Sequence, residues 1–335
     1  MSIIDRTRVT NAVANAIASG VLDAYYTRRS SFDAVPSNIT LVGDGNRPFH
    51  FIGGKMNFQC ADSFLETLRA AGLQPRPYPA DPMWPWRRKA EGFIRYFAVN
   101  PAKLGDRPII GGHSEGGHPV YAVAALAKEG KIGAIRKEFP GLRDISTRSL
   151  EELGERLFES ALFVTIATPH NGMRMSRFGR GVNRILIEPH FPKYISDITE
   201  PNLEALYESF RQRPDAVIDV NLVGGYGKHL PLQGRLTTRV LSAVLEGGMR
   251  AFEPLFDPTS ESDGIVPLQA ARLNGPIQDF VPYNHWQIIE MAGAAVRLID
   301  LIHQADEKRE ASRFSSQPYQ VAANGRGIPL VGALG

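Results

Sequence analysis

Ser114 lies in a setting in which a serine acts as a nucleophile. It belongs to the run Gly-His-Ser-Glu-Gly-Gly at positions 112–117, directly after the apolar residues 108–111 and before the helix-like residues 120–126. A sharp strand-to-helix turn strains the serine backbone, and small flanking residues let the strand and the helix approach closely. The hydroxyl then projects above the sheet, beside N–H groups at the helix N-terminus that favour an oxyanion. The pattern predicts covalent catalysis by Ser114.

A histidine must take the serine proton, because a neutral hydroxyl is a weak nucleophile. Of the eight histidines, His285 alone follows a short strand-like run and precedes a helix-like one. We assign it as the general base, against the simpler interpretation of a surface histidine in a turn. His303 is expected in the last turn of the closing helix, where the helix dipole favours a cation and no catalytic role is needed.

The carboxylate that orients the imidazole is assigned to Asp263. This aspartate stands at a turn marked by glycine, after the strand-like run 217–223. Asp-Gly is also an ordinary turn dipeptide, so a purely structural role stays open. Glu261 and Asp257 are fallback acids, and Asp219 is a weaker one because it lies within a predicted strand. The order along the chain is therefore serine, acid, histidine.

Composition excludes several other classes of function. The chain is 43% hydrophobic and 22% charged, as an ordinary globular protein is, and its net charge of +3 is too small to indicate a nucleic-acid partner. A single cysteine excludes an intrachain disulfide framework and a multi-cysteine metal site. For that residue, Cys60, a packed small hydrophobe is favoured over a second nucleophile. No cofactor is implied.

The segments expected for membrane insertion or export do not occur. No stretch approaches the roughly 20 apolar residues of a membrane span. The N-terminus has no basic region followed by an apolar one, and Asn11, Asn15 and Ser19 interrupt the place where such a segment would lie. We therefore expect a protein made and kept in the cytoplasm, or one exported by a route without a cleaved signal.

The elements that must position these residues alternate along the chain. Strand-like runs occupy 39–42, 48–52, 108–111, 161–168, 217–223 and 280–283, and helix-like runs occupy 64–71, 90–98, 120–126 and 288–302. Continuous apolar strands alternating with helices predict an α/β fold, a mostly parallel central sheet with helices on both faces.

Local signals add detail to this order of elements. Asp44-Gly45 between the first two strand-like runs predicts a β-hairpin, and the proline-rich residues 75–85 predict a loop. Three regions follow from the whole chain: an N-terminal helical segment over 1–37, a catalytic domain over 38–304 and a flexible tail over 305–335.

Four segments together resemble the α/β-hydrolase lipases, most closely the bacterial true-lipase (triacylglycerol lipase) group. Residues 112–117 are similar to the lipase G-H-S-x-G-G, and residues 165–172 resemble the strand that ends in T/S-P-H-x-G. Residues 262–266 resemble the N-D-G-x-V around the catalytic acid, and residues 284–285 match the Asn-His of the catalytic histidine. The resemblance implies the α/β-hydrolase fold and a serine–aspartate–histidine triad.

The resemblance also implies the oxyanion hole, and here the chain departs from the family. The family has His-Gly before its first oxyanion donor, whereas this chain has Ile-Gly-Gly-Lys-Met at 52–56. The first donor N–H then falls on Lys55, with Met56 as the alternative, and the second falls on Glu115. In place of a calcium-ligating aspartate two residues past the histidine stands Gln287, a poor ligand for a hard cation, so no metal is predicted.

An insertion over 173–215 occupies the place of a lid. Arginines and apolar side chains recur there at helical spacing in adjacent stripes: Arg174, Arg177, Arg180 and Arg184 beside Met175, Phe178, Val182 and Ile185. This pattern is typical of a helix on a lipid interface or over an apolar cleft, and nearly as typical of a packed helix with a solvated face. Apolar Leu186, Ile187 and Phe191 favour a lipid-like acyl substrate and contact with a lipid surface.

The sequence therefore predicts a serine carboxylic-ester hydrolase that acts on lipid-like acyl esters through a Ser114–Asp263–His285 triad and an acyl-enzyme. Two other functions remain open. One is an acyltransferase or amidase that uses the same triad, because one fold supports many chemistries. The other is a non-catalytic binding protein on a hydrolase scaffold.

Overall fold

The structure is a computed structural model that places six strands and eight helices in the chain it describes. The described residues are 35–54, 60, 62–80, 84–137, 139–174, 176–177, 180, 184, 200–210, 212–225, 262–263, 265–285 and 287–316. The strands are β1 Arg47–Ile52, β2 Leu73–Tyr78, β3 Ile109–His113, β4 Leu162–Ile166, β5 Val220–Gly224 and β6 Ile277–Val281. The helices are α1 Asp62–Ala70, α2 Trp86–Val99, α3 Gly117–Lys128, α4 Thr147–Ser160, α5 Glu200–Glu208, α6 Pro214–Val217, α7 Leu268–Ala271 and α8 Ala292–Ser316.

The six strands form one sheet in the order β2-β1-β3-β4-β5-β6, and every pair of neighbours is parallel. Consecutive residues of β3 show how the sheet divides the interior: Ile109 packs in one core cluster and Ile110 in the other. Helices α2, α3 and α4 cover the Ile110 face, and α1 and α8 cover the Ile109 face. The predicted parallel sheet with helices on both faces is confirmed.

Helix α3 is the most deeply buried element beside the sheet. Residues 117–127 are all buried, and seven of them in a row, 121–127, are apolar. A helix that is apolar all round needs neighbours on every side, which α2, α4 and strands β3 and β4 supply. The helix that starts at the proposed nucleophile is therefore held by the core.

The predicted hairpin around Asp44-Gly45 is wrong. Residues 35–46 carry no strand, and β1 pairs in parallel with β2 and β3 instead. The turn itself exists, since Asp44 Oδ1 accepts a hydrogen bond from the Asn46 N–H. Its backbone docks on the end of α1, where Gly45 N–H donates to Gly72 O over 3.1 Å.

Part of the predicted proline-rich loop is a strand. Pro75 and Pro77 lie in β2, opposite Phe49 and Phe51 of β1. A proline has no N–H to give to a sheet, but β2 is an edge strand with one neighbour. Two prolines separated by one residue are tolerated in such a strand. The sequence predicts a loop here because of its prolines, and the strand was missed.

The closing helix is longer than the sequence pattern predicts. Helix α8 begins at Ala292 and continues to Ser316, so residues 305–316 of the expected flexible tail are helical, and His303 lies inside the helix and not in its last turn. Asp306 and Arg309 on this extension form ion pairs with the sheet, which explains why a polar stretch stays helical.

Two predicted regions lie largely outside the described residues. The N-terminal helical segment 1–37 is described only from residue 35. In the insertion, α5 and α6 are described, and the four stripe arginines are exposed; the apolar stripe and the residues 186, 187 and 191 lie outside. No helix in the described ranges is long and apolar enough to cross a membrane.

Candidate active site

Ser114 stands at the carboxyl end of β3 in a strained backbone conformation. Its φ is 57°, a left-handed value that few residues other than glycine adopt. A 3₁₀ turn, Ser114–Gly116, leads directly from the strand into α3. The serine is half-buried, whereas its neighbours His113 and Glu115 are buried. The turn predicted from the sequence is therefore present, with the serine as its accessible residue.

The glycines on both sides of Ser114 are required by close backbone approaches. A Cβ on Gly112 would overlap the carbonyl oxygen of Gly116, and a Cβ on Gly116 would overlap the carbonyl oxygen of Ile52. Any side chain at these positions would push the strand and the helix apart. The turn is thus wedged between the end of β1 and the start of α3.

The chain leaving β1 passes directly over the serine. A Cβ on Gly54 would lie 2.9 Å from Ser114 Cβ and 3.3 Å from Ser114 Oγ. Gly54 therefore leaves space beside the hydroxyl. The next two residues, Lys55 and Met56, are the predicted first donor of the oxyanion hole and its alternative, and both lie outside the described residues.

Asp263 and His285 are brought together in the interior. His285 Nδ1 donates to Asp263 Oδ2 over 2.7 Å, and the His285 backbone N–H donates to Asp263 O over 2.8 Å. His285 is 3% exposed and Asp263 is 1% exposed. The carboxylate sets the tautomer: with the proton on Nδ1, the ring leaves Nε2 as the basic nitrogen.

The second carboxylate oxygen of Asp263 is also satisfied. Asp263 Oδ1 accepts the N–H groups of Ile265 over 3.0 Å and Val266 over 2.7 Å. Together with the bond from His285, these contacts give both oxygens of the buried carboxylate a hydrogen-bond donor. Gly224, at the end of β5, makes room for it, because a Cβ there would lie 3.0 Å from Asp263 Cβ.

The loop that carries His285 is braced from two sides. His113 Nε2 donates to His285 O over 2.9 Å, and the two rings lie 4.7 Å apart. Burial, together with the nearby His285, lowers the pKa of His113 well below its ordinary value, so it serves as a neutral donor. His285 therefore lies against the residue that precedes Ser114.

Gln287 has a structural role in the loop that carries His285. Its Oε1 accepts the Asn284 N–H over 3.2 Å, and its own N–H donates to Asn284 Oδ1 over 2.9 Å. This reciprocal pair caps the 3₁₀ turn Gln287–Ile289 that follows the histidine. In the described residues, no cluster of three or more His, Cys, Asp or Glu side chains could hold a metal ion.

Two other described histidines, His50 and His170, hydrogen-bond within the fold. His50 Nε2 hydrogen-bonds to Leu104 O over 3.0 Å, and His170 Nε2 to Thr165 Oγ1 over 3.0 Å. Burial lowers the pKa of His50 to about 4 and that of His170 well below its ordinary value. Cys60 packs against the core, and burial raises the pKa of its thiol, which suits the predicted packing role and not a nucleophile.

The fallback acid Asp219 lies at the opposite end of the sheet. It precedes β5, where its Oδ2 accepts the Phe163 N–H over 2.8 Å and pairs with Arg309 over 3.0 Å. That position is remote from the carboxyl ends of the strands. The other two fallback acids, Asp257 and Glu261, lie outside the described residues.

A buried ion pair next to the serine was missed in the sequence. Lys89 Nζ, on α2, donates to Glu115 Oε2 over 2.5 Å, and the side chains are 0% and 2% exposed. Glu115 was singled out only for its backbone N–H. The one signal was a lysine within the apolar periodicity of the predicted helix, one residue before Ala90.

The chain matches no family model and no curated protein. Solved structures with a similar fold include the mature lipase BlEst2 of Bacillus licheniformis, with a TM-score of 0.48 and 13% identity over 79% of this chain and 96% of that one. EstA of Clostridium botulinum has a TM-score of 0.49 and 14% identity over 80% of this chain and 91% of that one. Esterase B of Lactobacillus rhamnosis has a TM-score of 0.45 and 11% identity over 94% of this chain and 100% of that one.

With TM-scores below 0.5, these likenesses are weak. The strand order, with the serine turn at the end of the third strand in space, fits the α/β-hydrolase fold. What the site does must be argued from its own residues, because one fold supports many chemistries.

Proposed function

We propose that the protein is a serine carboxylic-ester hydrolase of the bacterial true-lipase type that acts on lipid-like acyl esters. The observation that carries the proposal is the arrangement at the carboxyl edge of the sheet. A serine with a φ of 57° ends one strand, and a buried aspartate–histidine pair with a 2.7 Å hydrogen bond lies beyond the others. Strain at one serine, together with a tautomer fixed by a carboxylate, is typical of nucleophilic catalysis.

The reaction would proceed in two halves. Ser114 Oγ attacks the ester carbonyl carbon while His285 Nε2 takes the hydroxyl proton, and a tetrahedral oxyanion forms. Its collapse breaks the bond to the alcohol, which leaves with the proton from His285. Water then attacks the acyl-enzyme with the same base, and the acid product leaves as Ser114 regains its proton. Asp263 holds the imidazole and stabilises its charged form.

The oxyanion would be held by backbone N–H groups of Glu115 and Lys55, with Met56 as the alternative to Lys55. Glu115 lies in the 3₁₀ turn that leads from Ser114 into α3, where the helix dipole adds positive potential. Gly54 leaves space beside the hydroxyl for the carbonyl to enter. One such donor is worth about 10²- to 10³-fold in kcat.

The lipid-like half of the proposal rests on the insertion. Its four arginines are exposed, as expected for a basic face beside an anionic lipid surface. The apolar stripe that would contact acyl chains is a prediction from the sequence alone. A series of p-nitrophenyl esters from acetate to palmitate tests this half, and turnover that rises toward the longer chains is the expected result.

The catalytic half is tested with Ser114→Ala and a fluorophosphonate. The wild type should hydrolyse the ester series and be labelled at one site, and the variant should retain its fold with only residual hydrolysis and no label. Ser160→Ala, whose hydroxyl bonds Arg156 O on α4, is the matched control and should behave as the wild type. Adding alcohol or amine acceptors and analysing the products separates hydrolysis from acyl transfer. A wild type that takes no label would favour the binding protein.

A further inference from the structure

The Lys89–Glu115 ion pair is buried, where the desolvation cost of two charges is high, and it lies next to the proposed nucleophile. Lys89 comes from α2 and Glu115 directly follows the proposed nucleophile, so the pair links a core helix to the serine turn. Removing two charges from water carries a large desolvation cost, and apolar residues of similar size often fill such a place as stably. Stability of the fold is therefore a weak explanation for this pair.

The position of Glu115 gives the pair a second consequence. The side chain of Glu115 runs into the interior while its backbone N–H belongs to the turn that would bind the oxyanion. A carboxylate held by a 2.5 Å charge-assisted hydrogen bond fixes the rotamer of Glu115 and limits the rotation of its peptide. The donor N–H then keeps its direction during the reaction.

The charge of Glu115 adds an electrostatic argument. A bare carboxylate on the residue after the nucleophile would oppose the negative charge that develops on the carbonyl oxygen, and screening by water is weak in a buried site. Lys89 neutralises that carboxylate within hydrogen-bonding distance. The pair leaves the helix dipole and the N–H groups as the dominant field at the oxyanion.

We propose that Lys89 is a positioning residue of the reaction, which fixes and neutralises Glu115 so that the Glu115 N–H stabilises the oxyanion. This inference rests on the proposed ester hydrolysis. It assigns a role in the transition state to two side chains that do not touch the substrate. Loss of Lys89 should accordingly lower kcat and leave KM nearly unchanged, since only an interaction made in the transition state is affected.

Four proteins test the proposal with a soluble p-nitrophenyl butyrate: the wild type, Lys89→Met, Glu115→Gln and the double variant. Lys89→Met leaves a buried carboxylate without its cation, and kcat should fall about 10- to 100-fold with KM within about threefold. Glu115→Gln keeps an oxygen that accepts from Lys89 but weakens the charge-assisted hydrogen bond, so its kcat should fall about 3- to 10-fold, less than that of Lys89→Met. The double variant removes the charge but also the anchor, so its kcat should lie between those of the two single variants.

The control is the exposed Arg95–Asp144 pair, whose arginine lies on the same helix α2. Arg95→Met should leave both kinetic constants unchanged. A kcat of Lys89→Met within twofold of the wild type overturns the proposal. Where Lys89→Met does not fold, the double variant is compared with Glu115→Gln, and equal kcat values overturn it. Wild-type protein that neither hydrolyses esters nor takes a fluorophosphonate refutes the proposed function itself, which separates the two failures.

Discussion

An aspartate lies beside each end of the parallel strands, Asp263 at the carboxyl edge of the sheet and Asp219 at the amino edge, and the two have different partners. At the carboxyl edge, Asp263 is 1% exposed and hydrogen-bonds His285. At the amino edge, Asp219 is 16% exposed and pairs with Arg309 of α8, with Lys128 3.9 Å away. One carboxylate faces the imidazole that we propose as the base of the reaction; the other faces the cations of an arginine and a lysine.

The difference separates the edge where the backbone is strained from the edge where ion pairs stabilise the fold. The carboxyl edge holds Ser114 in a left-handed conformation and buries its polar side chains in loops. The amino edge attaches the closing helix α8 through ion pairs to β1 and to the start of β5. We expect changes at the first edge to alter turnover and changes at the second to alter the free energy of unfolding.

The largest expected effect separates the two aspartates. Asp263→Asn should lower kcat by up to about 10⁴-fold with the fold intact, because an amide sets the wrong tautomer of His285. Asp219→Asn should change kcat by less than twofold and lower the free energy of unfolding, since Arg309 loses its partner. Ester kinetics and urea unfolding of both variants measure the contrast. A larger kinetic loss in the Asp219 variant would reverse the assignment of the edges.

The next comparison replaces one glycine at each edge by alanine. Gly54→Ala places a methyl group 2.9 Å from Ser114 Cβ, so either the serine or the chain at Gly54 must shift. We expect kcat/KM to fall about 10- to 100-fold, because the reacting groups are then misplaced. Gly275→Ala, just before β6, would overlap the Asp215 carbonyl oxygen. That variant should melt at a lower temperature but keep its turnover per folded molecule. Equal kinetic losses in the two variants would show that strain spreads across the sheet.

How much of the site the sequence predicts depends on the range of the interactions. The Ser114 turn is specified by glycines within three residues, and Asp263 and His285 are marked by their place after strands. Their 2.7 Å contact could be expected only from the order of elements along the chain. The Lys89–Glu115 pair spans 26 positions and depends on how α2 packs, which no local motif of the chain indicates.

The fold follows the same rule. Apolar runs located β1, β3, β4 and β5, because fully buried strands need continuous apolar residues. The predicted run 280–283 overlaps only the last two residues of β6, a partly exposed edge strand. The strand β2 was missed, since an edge strand tolerates Pro75 and Pro77. The final turns of α8 were missed as well, because polar residues there indicated a flexible tail. Asp306 and Arg309 instead form ion pairs with residues far along the chain. Residues whose partners lie far along the chain were the ones misread.

The stabilising side of the comparison is tested at the second ion pair of the amino edge. Asp306 binds the 6%-exposed Arg47 of β1 and also Arg107. Asp306→Asn leaves a buried guanidinium without its counter-charge and should lower the free energy of unfolding by about 2–4 kcal/mol. Glu152→Gln, which breaks the exposed Arg148–Glu152 pair on α4, should leave the free energy of unfolding nearly unchanged.

Ester turnover at the opposite edge should be unchanged in both variants below their melting temperatures. A drop in kcat for Asp306→Asn, with the protein still folded, would mean that α8 transmits its position to the loop of His285. The edges would then be mechanically coupled, and the division between strain and stability would fail.

The smallest effect concerns a histidine inside the sheet, between the two edges. His50 of β1 is 4% exposed, donates toward Leu104 O and contacts the Phe97 ring edge-on at 4.6 Å. Burial lowers its pKa to about 4, against about 6.5 in an unfolded chain. Between these values the unfolded chain binds a proton that the folded one refuses. Stability from this site is therefore full above pH 6.5 and is lost as the pH falls toward 4.

His50→Gln removes the titration and keeps a donor for the Leu104 carbonyl. The variant should be less stable than the wild type at pH 8, because the amide fills the site poorly. Its free energy of unfolding should nevertheless fall by about 2 kcal/mol less than that of the wild type between pH 8 and pH 5. Urea unfolding at the two pH values measures this difference, in which other titrating groups cancel. Parallel losses in both proteins would mean that His50 is protonated in the folded state, and the acid sensitivity would then belong to the histidines at the carboxyl edge.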